Sequence, residues 1–171
     1  MKRSTLLPVG LLGIILLGAS NITLPRPLLT WNSTASVPIG LYGVQPVGDL
    51  HVGDMVLFHP PMALTDLLAE RGYLPLGVPM LKPIAALPGD WVCRIGMQVT
   101  INGTAIASAL ERDRMGRPLP VWSGCRLLSP DELFLLNPAV AASLDGRYFG
   151  PLPAVAIVGR AVPLWTEGGQ R

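Results

Sequence analysis

A serine in a rigid turn and a solitary lysine are the two residues of this sequence whose types could do chemistry together. Ser36 lies in the stretch "TASVPIGLY", where Pro38 and Gly40 favour a turn over a strand or a helix. A serine hydroxyl is a poor nucleophile until a base removes its proton, and a Ser-Lys pair does this without histidine. The turn would keep the hydroxyl exposed and leave backbone N–H groups free to face an oxyanion. Taken alone, Ser36 also fits an ordinary turn residue.

The lysine that could serve as the base is Lys82, because the chain has only one other lysine, Lys2. It lies in "LGVPMLKPIAALPGDWV", where the nearest charged residues in sequence are Arg71 and Asp90. Burial in such a segment would lower the pKa of the amine from about 10.4. A lysine can then act as a base near neutral pH, whereas an arginine stays protonated. The alternative is a surface lysine whose stem covers apolar surface.

The first 25 residues form a targeting element. Lys2 and Arg3 precede an uncharged run, residues 4–25, whose length of about 22 residues is sufficient to cross a bilayer core. The charges predict a cytoplasmic N-terminus and a single transmembrane helix, with the rest of the chain outside the cytoplasm. A cleaved signal peptide is the alternative. We therefore divide the chain into an anchor or signal sequence, residues 1–25, and an extracytoplasmic domain, residues 26–171.

Short apolar runs separated by proline and glycine predict a mostly β domain with one short helix. Asn102-Gly103 suits a type I′ hairpin turn, because both positions of that turn need positive φ. The helix is predicted over residues 62–72, where three leucines share a face and Gly72 supplies the stop. Strands are predicted at 55–59, 91–95, 98–101, 133–137 and 154–162.

Composition excludes several classes of protein. Half of the 171 residues are hydrophobic and 14% are charged, which argues against disorder and favours a membrane association. A net charge of +2, without a basic stripe or a glycine-rich phosphate loop, predicts no nucleic-acid or nucleotide partner. Two histidines and two cysteines far apart in sequence do not supply metal-ligand spacing, so we expect no metal or other cofactor.

Two further pairs of residues leave alternatives open. His51 or His59 could complete a Ser-His-Asp triad with Asp54 or Asp145, although His59 also fits a structural role in its strand. In an extracytoplasmic domain, the two cysteines, at positions 93 and 125, are expected to form a disulfide. Two unpaired buried thiols are the alternative to that bond.

Four sequence boxes resemble, in order and spacing, those of the bacterial type I signal peptidases. They are "SVPIGLY" (36–42), "GDMVLFHPP" (53–61), "LKPIAALPGD" (81–90) and "SLDGRYFGP" (143–151). The segments "GRPLPVW", "GRYFGP" and "GRAVPLW" make the chain most similar to the TraF-type conjugative-transfer peptidases of that family. The resemblance covers residues 32–165, nearly the whole predicted external domain.

The resemblance assigns roles to the matching residues. It implies that Ser36 is the acylated nucleophile and that Lys82 is the general base. Thr34 matches a residue whose hydroxyl helps the Ser36 backbone N–H to form the oxyanion hole. The alternative for Thr34 is a plain turn residue.

Three residues of the last box are implied to support the site. Ser143 matches a serine that hydrogen-bonds the catalytic lysine, and Asp145 and Arg147 match an ion pair that braces the site. This sequence has Gly146 where the family commonly has serine, which removes one hydroxyl. Without the resemblance, an acid and a base two residues apart would most often form a solvated surface pair.

The resulting expectation is a membrane-anchored serine endopeptidase with a Ser-Lys dyad, in the bacterial inner membrane with its catalytic domain in the periplasm. The resemblance implies that it processes a membrane-inserted conjugative pilin precursor, whose new C-terminus relatives join to the N-terminus. An acyl-enzyme can be attacked by an amine as well as by water. The alternatives are a general signal peptidase acting on many preproteins and a catalytically silent module of a secretion apparatus.

Overall fold

The computed structural model describes residues 29–168, which fold into two antiparallel sheets and two short helices. The predicted anchor, residues 4–25, lies outside the described residues. Within residues 29–168, no helix has the length and apolar character needed to cross a bilayer. The mostly β architecture that the sequence predicts is confirmed.

The larger sheet has seven strands and carries the elements of the candidate site. Its spatial order is β1-β2-β11-β3-β4-β9-β10, and the strand pairs are antiparallel. The strands are β1 (Leu29–Asn32), β2 (Gly40–Gln45), β3 (Met55–Phe58), β4 (Met80–Ala86), β9 (Glu132–Leu135), β10 (Leu152–Pro153) and β11 (Ile157–Thr166). The last strand, β11, therefore lies between β2 and β3, two strands from the first part of the described chain.

The smaller sheet has four strands in the order β7-β6-β5-β8. They are β5 (Trp91–Ile95), β6 (Gln98–Ile101), β7 (Thr104–Ser108) and β8 (Gly124–Leu127). Asn102 and Gly103 join β6 to β7 with φ of 50° and 79°, so the predicted hairpin with two positive φ angles is confirmed. A disulfide joins Cys93 on β5 to Cys125, its directly paired residue on β8, which confirms the predicted bond.

Two helices interrupt the strands. α1 (Met62–Glu70) lies between β3 and β4, buries Leu64 and Leu68, and is followed by Gly72 at φ 67°, the predicted stop. α2 (Gly146–Phe149) is a single turn in which the Arg147 backbone N–H donates to the Asp145 side chain, and the sequence patterns did not predict it. A 3₁₀ turn over Ala154–Ala156 occupies the start of the last predicted strand, so β11 begins three residues later than expected.

Apolar side chains from the two strands nearest the site pack on both sides of the large sheet. One cluster contains Val56, Phe58 and Ile84, and a second contains Val37, Leu57 and Leu81. Full burial of such a side chain stabilises the fold by about 1.5–3 kcal/mol. The second cluster fixes the loop after β1 to the face of β3 and β4, and that loop carries Ser36.

The disulfide predicts a measurable contribution to stability. It closes a segment with a sequence separation of 32, and a chain-entropy estimate gives about 3–4 kcal/mol for a loop of that size. The double variant Cys93→Ser/Cys125→Ser should therefore have a free energy of unfolding that is lower by up to this amount. Urea denaturation measures the difference. Thiol alkylation of the unfolded, unreduced protein should label neither cysteine. Labelling of both would contradict the bond.

Candidate active site

The loop that carries Ser36, between β1 and β2, is held by the side chain of one buried asparagine. The amide Nδ2 of Asn32 donates to the backbone carbonyls of Thr34, Val37 and Pro38 at 2.8, 3.1 and 3.0 Å. Its Oδ1 accepts the Thr34 backbone N–H at 3.2 Å. Because one rigid amide satisfies several backbone groups of the loop, Ser36 is placed by the fold and not by its own side chain.

Backbone packing closes the far end of this loop at Gly40, the first residue of β2. A Cβ added to Gly40 would lie 2.1 Å from the carbonyl oxygen of Trp165 on β11, and its φ is 154°. A side chain there would push β2 away from β11. The glycine of the "SVPIG" stretch is therefore required by sheet packing, not only by the turn.

A short chain of hydroxyl hydrogen bonds fixes the direction of the Ser36 proton. The Thr34 Oγ1 lies 3.0 Å from Asn32 Oδ1 and 3.1 Å from Ser36 Oγ. Since the amide oxygen only accepts, the Thr34 hydroxyl donates to it and accepts from the Ser36 hydroxyl. Thr34 thus lies beside the nucleophile candidate, in contact with its hydroxyl, while its predicted role in an oxyanion hole stays a prediction.

Lys82 lies on β4, opposite Val56 of β3, and is only 1% exposed. Lys82 and Ser36 line the same cavity, whose volume is about 580 Å³. Burial lowers the pKa of Lys82 from its ordinary 10.5 to about 8, with the charge of Asp145 raising it and that of Arg147 lowering it. The alternative interpretation of Lys82 as a surface lysine is therefore wrong.

Asp145 and Arg147 form a buried ion pair behind the cavity. The Arg147 Nε donates to Asp145 Oδ1 at 2.8 Å, and both side chains are at most 1% exposed. The same guanidinium donates to the carbonyls of Ala141 and Asn137 at 2.9 and 2.6 Å, so its donors are satisfied by backbone as well as by charge. A solvated surface pair, the alternative interpretation, is wrong here.

Close packing explains why a glycine, Gly146, lies between Asp145 and Arg147. A Cβ at Gly146 would lie 2.7 Å from the carbonyl oxygen of Leu135 and 2.8 Å from a ring carbon of Phe134. The α2 turn packs so tightly on β9 that a serine would not fit without a backbone shift. The departure from the commoner family sequence therefore leaves the ion pair intact.

Ser143 is 1% exposed, and its Oγ has no hydrogen-bond partner within residues 29–168. Its burial agrees with a place in the interior of the site. The hydrogen bond to Lys82 that the resemblance implies stays a prediction.

Asn137 is a site residue that the sequence interpretation missed, since it was counted only as the end of a predicted strand. Its Nδ2 donates to the carbonyl of Ser36 at 2.7 Å, and its backbone N–H donates to Asp145 Oδ2 at 3.1 Å. Its own carbonyl accepts from Arg147. One residue therefore connects the buried ion pair to the serine loop, 101 positions away in sequence.

Comparison with known proteins decides the family. The model of the family "Signal peptidase, peptidase S26" matches residues 1–165. The chain belongs to this family of peptidases. It is 33% identical to the conjugal transfer protein TraF of Agrobacterium fabrum, over 96% of this chain and 97% of that protein. It is 37% identical to a probable conjugal transfer protein TraF of Sinorhizobium fredii, over 79% of this chain and 76% of that protein.

A more distant relative is a signal peptidase I of Leptolyngbya laminosa, 30% identical over 64% of this chain and 50% of that protein. These relatives confirm the TraF-type, signal-peptidase-like resemblance of the sequence boxes.

The histidines of this peptidase lie away from Ser36. His51 Nδ1 is 3.7 Å from Asp54, its side chain is 74% exposed, and neither it nor His59 is among the described residues that line the cavity. The Ser-His-Asp alternative is therefore not supported by the geometry. In the part of the chain that the structure describes, no three His, Cys, Asp or Glu residues are grouped closely enough to hold a metal ion.

The contacts of Asn137 predict a positioning effect on Ser36. If Lys82 is the predicted general base, peptide cleavage by the unchanged enzyme should rise with pH and level off above about 8, because the amine must be neutral to accept a proton. Asn137→Ala removes the donor to the Ser36 carbonyl, and kcat should fall about 10- to 100-fold through misplacement of the hydroxyl. The midpoint of the pH profile should stay near 8, since Asp145 and Arg147 are retained.

Asn102→Gly is the matched control, because it removes a turn amide from the small sheet, outside the cavity lining. It should retain the normal rate. An unchanged kcat in Asn137→Ala would contradict the positioning role.

Proposed function

We propose that this peptidase is a membrane-anchored serine endopeptidase with Ser36 as nucleophile and Lys82 as general base. One observation carries the proposal: a buried lysine with a pKa of about 8 and a half-buried serine line one cavity. At neutral pH, a substantial minority of such amines is unprotonated, whereas an amine with a pKa of 10.5 would almost never be.

The proposed reaction proceeds through an ester on Ser36. The Lys82 Nζ accepts the hydroxyl proton as Ser36 Oγ bonds to the carbonyl carbon of the substrate. The tetrahedral intermediate then collapses, the peptide C–N bond breaks, and the departing amine takes the proton from the Lys82 ammonium. Water or a second amine attacks the ester, giving a free acid or a new peptide bond, and Ser36 regains its proton.

The backbone N–H of Ser36 is proposed to donate to the developing oxyanion, with Thr34 as a second donor. The Thr34 hydroxyl donates to Asn32 in the structure, so it would have to turn toward the substrate to take that role. The structure alone supports a simpler contribution, in which Thr34 holds the Ser36 hydroxyl in place before attack.

The proposed substrate is a membrane-inserted pilin precursor of a conjugation system. Two relatives are named for conjugal transfer, and they match most of the chain. The exposed side chains of Trp31 on β1 and Trp165 on β11 stack with ring centroids 5.8 Å apart. Trp31 lies six residues after the end of the predicted anchor at residue 25. Aromatic side chains of this kind favour the membrane–water interface. We therefore place the catalytic domain at the periplasmic face of the inner membrane.

A general signal peptidase is the second candidate, favoured by the similarity to the signal peptidase I of Leptolyngbya laminosa. It would use the same chemistry on many preproteins. Rescue of cells depleted of their own signal peptidase would favour a general signal peptidase over a dedicated pilin peptidase. The remaining alternative, a catalytically silent module, would process neither substrate.

Mass spectrometry of the pilin from the cognate transfer system, co-expressed with the full chain, tests the proposal. The precursor should lose terminal residues, and a product lighter by one further water would show cyclisation instead of hydrolysis. Ser36→Ala and Lys82→Arg should leave the precursor unprocessed, because arginine cannot serve as the base. The control Ser108→Ala changes a serine outside the cavity lining, and Lys2→Arg changes the only other lysine of the sequence. Both variants should process the pilin normally.

Cleavage by Lys82→Arg at more than a few per cent of the normal rate would refute the dyad. An unprocessed pilin together with rescue of signal-peptidase depletion would refute the substrate assignment alone.

A further inference from the structure

The cavity of Ser36 and Lys82 has an unbalanced charge. Besides Lys82, its lining contains three arginines, Arg71, Arg114 and Arg117, and one acidic residue, Asp113. The excess is notable in a chain with only 14% charged residues. Even with Lys82 neutral, the arginines outnumber the carboxylate, so the cavity is cationic.

Asp113 cannot neutralise more than one of these arginines, because its oxygens are already occupied. Oδ2 accepts from Arg117 Nε at 2.7 Å and from the Tyr73 hydroxyl, while Oδ1 accepts the N–H groups of Met115 and Arg117 at 2.8 Å each. The Arg117 guanidinium also lies over the Tyr73 ring, 5.1 Å from its centroid. This closed cluster joins the loop 110–119 to the segment after α1.

The other two arginines of the cavity lining are Arg71 and Arg114, whose charges Asp113 does not neutralise. Arg71 donates through Nη1 to the Pro118 carbonyl at 2.6 Å, which holds its head group beside the loop without neutralising it. Arg114 is exposed on the same loop. Within residues 29–168, neither forms an ion pair with a carboxylate. Two guanidinium groups that have no counter-charge among the described residues therefore line one cavity.

These arginines lie within reach of a bound peptide. Ser36, Lys82 and the three arginines line one cavity of about 580 Å³. Each residue of an extended substrate adds about 3.3 Å of length. A carboxylate a few residues from the bond attacked by Ser36 could therefore reach the arginines.

We propose that Arg71 and Arg114 form a subsite that binds a carboxylate of the peptide substrate. The inference rests on the proposed peptidase function of Ser36 and Lys82 and adds a preference for acidic substrates. Guanidinium groups suit a carboxylate because they offer paired donors in a planar fork. The carboxylate is either an Asp or Glu side chain or the free C-terminus of the substrate.

Two sets of synthetic peptides distinguish these sources, with the full chain in detergent as the enzyme. In the first set, glutamate or glutamine is placed in turn at each of five positions on either side of the scissile bond of an alanine-rich peptide. In the second set, the same peptide ends in a free acid or an amide at increasing distance from the bond. The acid form should have about tenfold higher kcat/KM at one position. That ratio should fall as salt screens the attraction.

Arg114→Gln should reduce this ratio to near one, and Arg114→Glu should make the enzyme prefer lysine over glutamate at the same position. Arg112→Gln is the matched control, because Arg112 lies on the same loop but outside the cavity lining, and it should keep the tenfold ratio.

The outcomes separate this inference from the function on which it rests. Cleavage of every peptide at equal rates, in every set, would overturn the carboxylate subsite and leave the peptidase proposal standing. Failure to cleave any peptide would count against the peptidase proposal first. A ratio that Arg114→Gln does not change, combined with weaker binding of that variant to phosphatidylglycerol vesicles, would show that the arginines bind lipid headgroups and would also overturn the subsite.

Discussion

The structure depends on keeping one amine out of water without giving it a partner that would hold its proton. Lys82 is almost fully buried, and this burial is the main cause of its lowered pKa. The charge of the buried Asp145 raises that pKa, and the charge of Arg147, its ion-pair partner, lowers it. The buried ion pair therefore places two opposing charges near Lys82, so that the effect of burial dominates. The folded state disfavours the Lys82 ammonium, whereas the unfolded chain binds the same proton more tightly. The free energy of unfolding should therefore rise with pH between about 8 and 10.5.

A second requirement is that a flexible hydroxyl be presented to this amine in one orientation. The serine loop has little regular structure, yet Asn32 from β1 and Asn137, two residues after β9, both hold its backbone. Asn32 also accepts a hydrogen bond from the Thr34 hydroxyl, which in turn contacts the Ser36 hydroxyl. Asn137 also contacts the ion pair whose charges act on Lys82, so the positions of the proposed nucleophile and the proposed base are linked through a single residue.

The sequence predicts more of the chemistry than of the framework. Ser36, Lys82, Asp145 and Arg147 lie in boxes that resemble a known family, and the Asn102-Gly103 turn has a strong local signal. β2 was missed because it begins at Gly40, a glycine that close packing against β11 requires. β8 was missed because its four residues are all exposed and show no alternation. Asn32 and Asn137 were missed because their roles consist of hydrogen bonds to backbone groups, and Asn137 reaches across 101 residues. No local pattern reveals such contacts. The predicted anchor lies outside the described residues and stays a prediction.

The proton affinity of Lys82 tests the central claim most directly, and the sequence makes the measurement simple. Because the chain has two lysines, selective labelling of lysine with ¹³C at Cε should give two NMR signals, and Lys82→Met assigns them. Lys2 provides the internal reference for an ordinary amine. The chemical shift of Lys82 should change with a midpoint near pH 8, well below that of Lys2. A Lys82 midpoint near 10.5 would show that the buried amine is an ammonium at neutral pH, and would contradict its role as the base that activates Ser36.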